Sequence, residues 1–259
     1  MKVERTHSTN TLLKELIAKG EEPEYVYAGY QTAGRGQTGN GWESEEGKNL
    51  LCSILIERNT EHRTQNTDLI SPFELNVVVS VAVYRVIQSV LCQQSGLCSV
   101  LSIKWPNDIY WGDKKVAGIL IENAIVGSEI KYSIAGIGLN VNQTEFRSDA
   151  PNPVSLKQIT GVEYNIDELM ERLYDEVQRA LQEDVWEEYK AHLYRREGFW
   201  PFVEREVSTA PTMNADAQTQ GQFMARIKDV LSDGEIVLED EAGEERTYHF
   251  KQIRYVVKS

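Results

Sequence analysis

Ile109-Tyr110-Trp111-Gly112-Asp113-Lys114-Lys115-Val116-Ala117-Gly118-Ile119-Leu120-Ile121-Glu122-Asn123 is the stretch that decides the fold class. Two β-favouring runs, Ile109–Trp111 and Val116–Asn123, flank Gly112-Asp113, a pair suited to a tight reversal, so the chain folds back as a hairpin. Ser99–Trp105 reads as a strand before it. Lys131–Asn142 reads as a strand after it, beyond a turn at Gly127-Ser128. Strands that follow one another through tight turns build an antiparallel or mixed sheet, because a parallel repeat would need a helix between them.

Working outward, Tyr25–Gln31 and Leu50–Glu57 add two more strands, separated by a glycine-rich loop. Before them, Leu12, Leu13, Leu16 and Ile17 share one helical face, with Ser8 to Asn10 as candidate caps and Gly20 as a stop. Ser71-Pro72-Phe73-Glu74 is a capping box with proline in the first turn, and the helix it opens should run to about Gln93. Asp167 to about Leu193 reads as one helix carrying Leu169, Leu173, Val177 and Leu181 inward, its acidic face solvated. The last 55 or so residues hold short strands at Gln222–Val230, Glu235–Glu239, Thr247–Phe250 and Ile253–Val257, the pattern of a small all-β barrel. The expectation is an α+β chain: a central mixed or antiparallel sheet with flanking helices over 1–202, then a small β-domain over 203–259.

The chain has 259 residues, with 27 Lys+Arg against 40 Asp+Glu and a formal charge of −13. That balance argues against general binding to nucleic acid or an anionic membrane. The acidity is uneven: residues 1–142 sum to −3 and residues 143–259 to −10, and Arg35 is the only charged residue between Tyr25 and Trp42. A local anion site is compatible with such a chain. Cys52, Cys92 and Cys98 are odd in number and lack CxxC spacing, so neither a disulfide framework nor a zinc knuckle is expected, and a reducing cytoplasm is. No apolar leader opens the sequence, and Arg85 interrupts the longest apolar run, Val77–Ile87, so no membrane span is expected.

Four stretches carry chemistry. In Gly34-Arg35-Gly36-Gln37-Thr38-Gly39-Asn40-Gly41-Trp42 the glycines match GxGxxG after a strand. A dinucleotide fold requires a helix to open there, and Asn40–Asn49 has no apolar helical period. A Walker loop fails for want of Gly-Lys-Ser/Thr, and a kinase for want of its catalytic motifs. What remains is a merely flexible loop or an acid-free segment whose N–H groups and Arg35 close over an anion. Lys104-Trp105-Pro106-Asn107-Asp108 ends a strand, and Lys114 to Glu122 starts at the hairpin. Asn107 and Asp108 can be plain turn residues and the lysines a solvated tip. Gly118 within a strand marks a close approach or a bulge. Gly136-Ile137-Gly138-Leu139-Asn140-Val141-Asn142 is weak alone.

Together, in this order, Ser8-Thr9-Asn10, Gln31 with the Gly-Arg-Gly loop and its tryptophan, Lys-Trp-Pro-Asn-Asp, Lys-x-x-Gly-Ile-Leu-x-Glu and Gly-Ile-Gly-x-Asn resemble the biotin–protein ligases. The likeness runs from residue 8 to about 142. It implies a class II synthetase-like catalytic domain with an SH3-like C-terminal domain, and ATP-dependent biotinylation of a lysine on a biotin carboxyl carrier protein through biotinyl-adenylate. Carried over, Ser8, Thr9, Asn10 and Gln31 would line the pocket for the ureido end of biotin. Arg35, with Gly34, Gly36 and Gln37, would close on its carboxylate and on phosphate. Lys115 would be the essential lysine, with Lys104 beside it, Trp42 packing on the adenylate and Asn140 reaching the nucleotide. Asp108 would orient Lys115 or deprotonate the acceptor amine, and Asn107 and Gly118 complete the binding set. Mg²⁺ is implied with ATP, no protein metal ligands are assigned, and family habit implies a homodimer through an edge strand. Relatives carry more arginines where Gln37, Thr38 and Asn40 stand, which weakens retention of the adenylate. Only seven residues precede the Ser-Thr-Asn segment, so a repressor role is not expected. The alternatives are a related lipoate or octanoate transferase, which would want an apolar channel, and a non-catalytic biotin-binding protein, which would lose Lys115.

Overall fold

In the computed structural model the hairpin forms at Gly112-Asp113: β5 (Asp108–Trp111) and β6 (Lys114–Val126) pair antiparallel with Trp111 opposite Lys114. The structure describes residues 1–21, 23–36, 41–57, 71–93, 96–127, 129–148, 152–205 and 221–257. Around that hairpin lie β1 (Lys2–Thr6), β2 (Tyr25–Gln31), β3 (Leu50–Glu57), β4 (Leu101–Lys104) and β7 (Glu129–Leu139). They form one seven-stranded sheet in the order β1-β2-β3-β7-β6-β5-β4. Only β1 and β2 run parallel, so the sheet is mixed.

The two faces of the sheet differ. On one, α1 (Thr9–Ala18) packs Leu13 and Leu16 against Val26 and Ile134, a small cluster that leaves the rest of that face open. The other face carries the main core. There α2 (Pro72–Leu91) lies on the sheet, α4 (Ile166–Ala180) packs against both α2 and β3, and α5 (Trp186–Ala191) packs against α2. The Ser71–Glu74 capping box and Pro72 open α2 as expected. By length and apolar composition α2 could cross a membrane, but most of it is buried inside the protein. Arg85, the charge that interrupts it, is bonded to Glu188 (2.9 Å), Glu176 (3.1 Å) and Glu183 (2.7 Å). The acidic face of α4 is therefore partly an internal counter-charge and not only a solvated surface.

Four local expectations are corrected. The single helix over 167–193 is two: after Ala180 the chain turns, Asp184 accepts from the Trp186 backbone N–H, and α5 presents Tyr189 to the core in a new direction. The side-chain bond offers the backbone an alternative to continuing the helix. The strand expected from Ser99 begins only at Leu101, because Leu97–Val100 is a 3-10 turn in which Ser99 bonds Gly96. Cys92 and Cys98 meet there as a disulfide with their Cα atoms 5.2 Å apart, a pairing the absence of CxxC spacing did not suggest. Ser8 holds the N-cap position of α1 but makes no capping hydrogen bond. The strand β1 and the short α3 (Leu156–Thr160) were not anticipated at all.

A second sheet of five strands closes the chain, in the order β11-β10-β9-β8-β12. It comprises β8 (Trp200–Glu204), β9 (Gln222–Val230), β10 (Ile236–Asp240), β11 (Glu245–Tyr248) and β12 (Ile253–Tyr255). Its first strand straddles the expected 202/203 boundary. The two sheets touch where Trp105 Nε1 donates to the Gly234 carbonyl (3.1 Å) and its ring meets Phe250 edge-on.

Candidate active site

The open face of the large sheet is a trough made by register. Ser53 on β3, Gly136 on β7 and Leu120 on β6 stand in one row across the sheet, and Gly138 faces Gly118 in the next. Side chains alternate across a strand, so both rows look toward the same side. A methyl group on Gly136 would overlap the Asn10 carboxamide, and one on Gly138 the Trp42 indole. On Gly118 it would lie 2.9 Å from the same indole and 3.0 Å from Lys115 Nζ. The glycines of the two motifs thus allow Asn10 and Trp42 to settle directly on backbone.

Above this lies a cavity of about 580 Å³. One wall is uncharged: Ser8, Thr9 and Asn10 at the start of α1 and Gln31 at the end of β2. Thr9 N–H donates to Gln31 Oε1 (2.8 Å), Asn10 Nδ2 donates to Glu122 (2.7 Å), and Ser53 Oγ lies 2.5 Å from Asn10 Oδ1. The opposite wall is cationic. Lys104 ends β4, the Trp105–Pro106 peptide is cis, and β5 returns with Asp108 opposite Lys104. Asp108 then takes Lys115 Nζ at 2.7 Å, which joins the Lys-Trp-Pro-Asn-Asp and Lys-x-x-Gly motifs at one point. Lys115 Nζ also lies 5.7 Å from the Trp42 ring centre. Lys104 donates to the Tyr110 hydroxyl (3.0 Å), with the Tyr110 and Tyr255 rings beneath it. Burial pushes its ammonium below the ordinary lysine value, helped by the Lys115 and Arg195 charges and opposed by Asp108. Arg35 reaches Thr11 (3.3 Å) and Glu122 (3.4 Å) across the mouth, and its side chain is half exposed.

Eleven of the anticipated residues line this cavity: Ser8, Thr9, Asn10, Gln31, Arg35, Gly36, Trp42, Lys104, Asp108, Lys115 and Gly118. Gly34 instead closes the base of its loop by accepting from Trp42 N–H (3.0 Å). Asn107 is buried, donating to Asn76 (2.7 Å) and to the Ile119 carbonyl (3.3 Å). Asn140, also buried, braces Lys115 from behind: its amide reaches the Lys115 and Val154 carbonyls. The Lys115 backbone is further clamped by Asn152 and Val154. Gln37 lies outside the described residues, as do Thr38 and Asn40.

A match to the family model described as Biotin/lipoate A/B protein ligase family covers residues 3–140, more than half of the chain. The chain belongs to this family. Among its relatives, the bifunctional ligase/repressor BirA of Bacillus spizizenii is 30% identical over 242 residues, covering 90% of this chain and 67% of that protein. The biotin–[acetyl-CoA-carboxylase] ligase of Paracoccus denitrificans is 31% identical over 173 residues, 65% of this chain and 67% of that one. The chain spans 55–67% of the length of the first curated relatives it matches. Among solved structures, biotin protein ligase from Aquifex aeolicus in complex with biotin and ATP superposes with a TM-score of 0.72 at 20% identity. The match covers 99% of this chain and 98% of that one, a likeness of fold.

Within this family member several residues of the site escaped the sequence reading. Ser53 and Glu122, which hold the Asn10 carboxamide from behind the lining, sat in an ordinary strand and at the last letter of a motif. Arg205, Phe250, Lys251 and Arg254 come from the second sheet and its loops, yet line the same cavity. With Arg35, Lys104 and Lys115 they raise the lining cations among the described residues to six against one carboxylate, Asp108.

Proposed function

We propose that the protein is an ATP-dependent biotin–protein ligase. The observation that carries this reading is the division of one cavity into an uncharged wall of donors and acceptors and a wall of cations. Biotin has the matching ends, a neutral ureido ring and a carboxylate. The carboxylate is inert toward amines until activated, so its oxygen attacks the α-phosphorus of ATP, pyrophosphate leaves, and biotinyl-adenylate forms. A lysine amine of the carrier protein then attacks the acyl carbon, AMP departs, and an amide remains. Bringing a carboxylate to a polyphosphate sets like charges about 4 Å apart, a repulsion of about 4 kcal/mol at an effective dielectric near 20.

Arg35, Lys104 and Lys115 offset that repulsion, and charges already fixed in place do so most where negative charge builds up in the transition state. Asp108 holds Lys115 in place through their 2.7 Å ion pair. In the alternative role its carboxylate takes the proton of the incoming amine, and Trp42 offers a flat face to the adenylate. Mg²⁺ enters as part of the nucleotide substrate, neutralising its phosphates; hard cations commonly bind through substrate phosphates and one or two carboxylates. Among the described residues no group of three or more His, Cys, Asp or Glu is placed to hold a resident metal. The acceptor is a lysine of a biotin carboxyl carrier protein, in keeping with the carboxylase in the name of the Paracoccus relative.

Biotin-dependent exchange between ATP and pyrophosphate tests the reading. Exchange is expected with biotin and not with lipoate, and Lys115→Ala should lower it about 100-fold or more at unchanged melting temperature. Exchange with lipoate but not with biotin would assign the site to the other branch of the family.

A further inference from the structure

We infer that Glu122 sets the hydrogen-bond polarity of the ureido wall through a relay of fixed donors and acceptors, and so acts as a positioning residue for ligand discrimination. The inference rests on the biotin ligase reading. Glu122 sits on β6, one row beyond Leu120 on the trough face, and bonds three groups from other elements. Asn10 Nδ2 lies 2.7 Å and Arg35 Nη2 3.4 Å from one carboxylate oxygen, and Lys14 Nζ lies 3.0 Å from the other. Burial works to raise the carboxyl, but the Asn10 and Lys14 hydrogen bonds and the Lys14 and Arg35 charges outweigh it and hold it below the ordinary value. It is an ionised group, which can only accept.

The rest follows from counting hydrogens. Asn10 Nδ2 faces two acceptors, Glu122 and the Leu120 carbonyl (3.4 Å), so the carboxamide can take one orientation, with Oδ1 toward Ser53. Oδ1 has no hydrogen, so Ser53, 2.5 Å away, spends its single hydroxyl hydrogen there. Thr9 Oγ1 lies 2.8 Å from Ser53 Oγ and 3.2 Å from Gln31 Oε1, and with the Ser53 hydrogen already committed its own single hydrogen goes to one of these two oxygens. The Thr9 oxygen is left as an acceptor. Gln31 Oε1 is occupied by the Thr9 N–H (2.8 Å), so what Gln31 has left to offer is its amide N–H donors. A ligand meets an acceptor at Thr9 and donors at Gln31, the complement of a ureido group with its two N–H and one carbonyl. Buried polar networks of this kind carry specificity because each member constrains the next. A neutral amide at 122 could accept or donate, and the order would no longer be imposed from its end.

The test is Glu122→Gln, close in shape to the native side chain, assayed by ATP–pyrophosphate exchange with biotin and with 2-iminobiotin, whose ureido oxygen is replaced by an imino group. The expected result is a rise in biotin KM of about tenfold, the scale of a lost charge-assisted hydrogen bond, with a smaller change in kcat. The kcat/KM preference for biotin over 2-iminobiotin should narrow by a similar factor. Ser53→Ala cuts the relay at its next link without disturbing the charges and should narrow the same preference; it guards against an E122Q protein that does not fold. An unchanged preference in the folded variants, whatever their KM, would overturn the inference and leave Glu122 a structural group. Absence of biotin-dependent exchange in the native protein would instead overturn the ligase reading itself.

Discussion

At Gly136 and Gly138 the site requires the absence of a side chain, and the two positions fail differently when one is added. Alanine at 136 displaces the Asn10 carboxamide and alanine at 138 displaces the Trp42 indole, while the strands that carry them keep their pairing. Forcing a methyl group into such a contact costs about 1–3 kcal/mol, absorbed by whichever partner can move. Gly136→Ala is therefore expected to raise biotin KM about tenfold with ATP KM nearly unchanged. Gly138→Ala should act chiefly on kcat and ATP KM. Exchange kinetics with each substrate varied separately, beside far-ultraviolet circular dichroism to confirm the fold, decide both. These contacts explain what was readable at this scale. The motif residues announced themselves because no periodicity accounts for a glycine pair in a buried strand. Asn107 and Asn140 looked the same in the sequence, yet they serve the backbone behind the cavity, and one-dimensional spacing does not distinguish the front of a strand from its support.

The elements are held to one another by the ion cluster at Arg85, and its consequence is a pH-dependent stability. Arg85 holds the Glu188 carboxyl below its ordinary value of 4.5, against the opposing effect of burial. A carboxyl lowered in the folded protein contributes stability that is complete above its unfolded value and is lost as pH falls through the folded one. Arg85→Met leaves partly buried carboxylates without a counter-charge and should cost about 2–3 kcal/mol near neutral pH. That penalty should shrink as the pH falls through the lowered Glu188 value, where the ion pair is lost in the native protein as well; urea melts at neutral and at acidic pH measure it. Most elements were legible from periodicity and caps, as for α2 with its capping box. The break between α4 and α5 was not, because residues 181–185 keep helix-compatible types and a single aspartate, Asp184, carries the local bond that turns the chain so that Val185 and Tyr189 are buried. The strand β1 was hidden by its composition: Lys2, Glu4 and Arg5 are exposed along a sheet edge, so the alternation that betrays a strand is nearly absent.

For the molecule as a whole, the formal charge of −13 coexists with a cavity lined, among the described residues, by six cations and one carboxylate. ATP is drawn to the local field and not to the net one. Raising NaCl from about 50 to about 500 mM shortens the screening length from over 10 Å to under 5 Å and should raise ATP KM severalfold. In the proposed reading neutral groups take the ureido end of biotin, so biotin KM should move less; initial rates at several salt concentrations test the contrast. Half of those cations, Arg205, Lys251 and Arg254, were invisible as site residues, since nothing local to residues 250–254 indicates that they fold against a motif near residue 115. Gly118 and Gly138 bring a final consequence for ligand scope. Where the base of a binding site is bare backbone, substitution there can only subtract room, so a bulkier adenylate cannot be admitted from below. Over these two glycines space is added by trimming the Trp42 indole, which makes it an adjustable part of the site, for natural drift and for anyone wishing to retune the substrate.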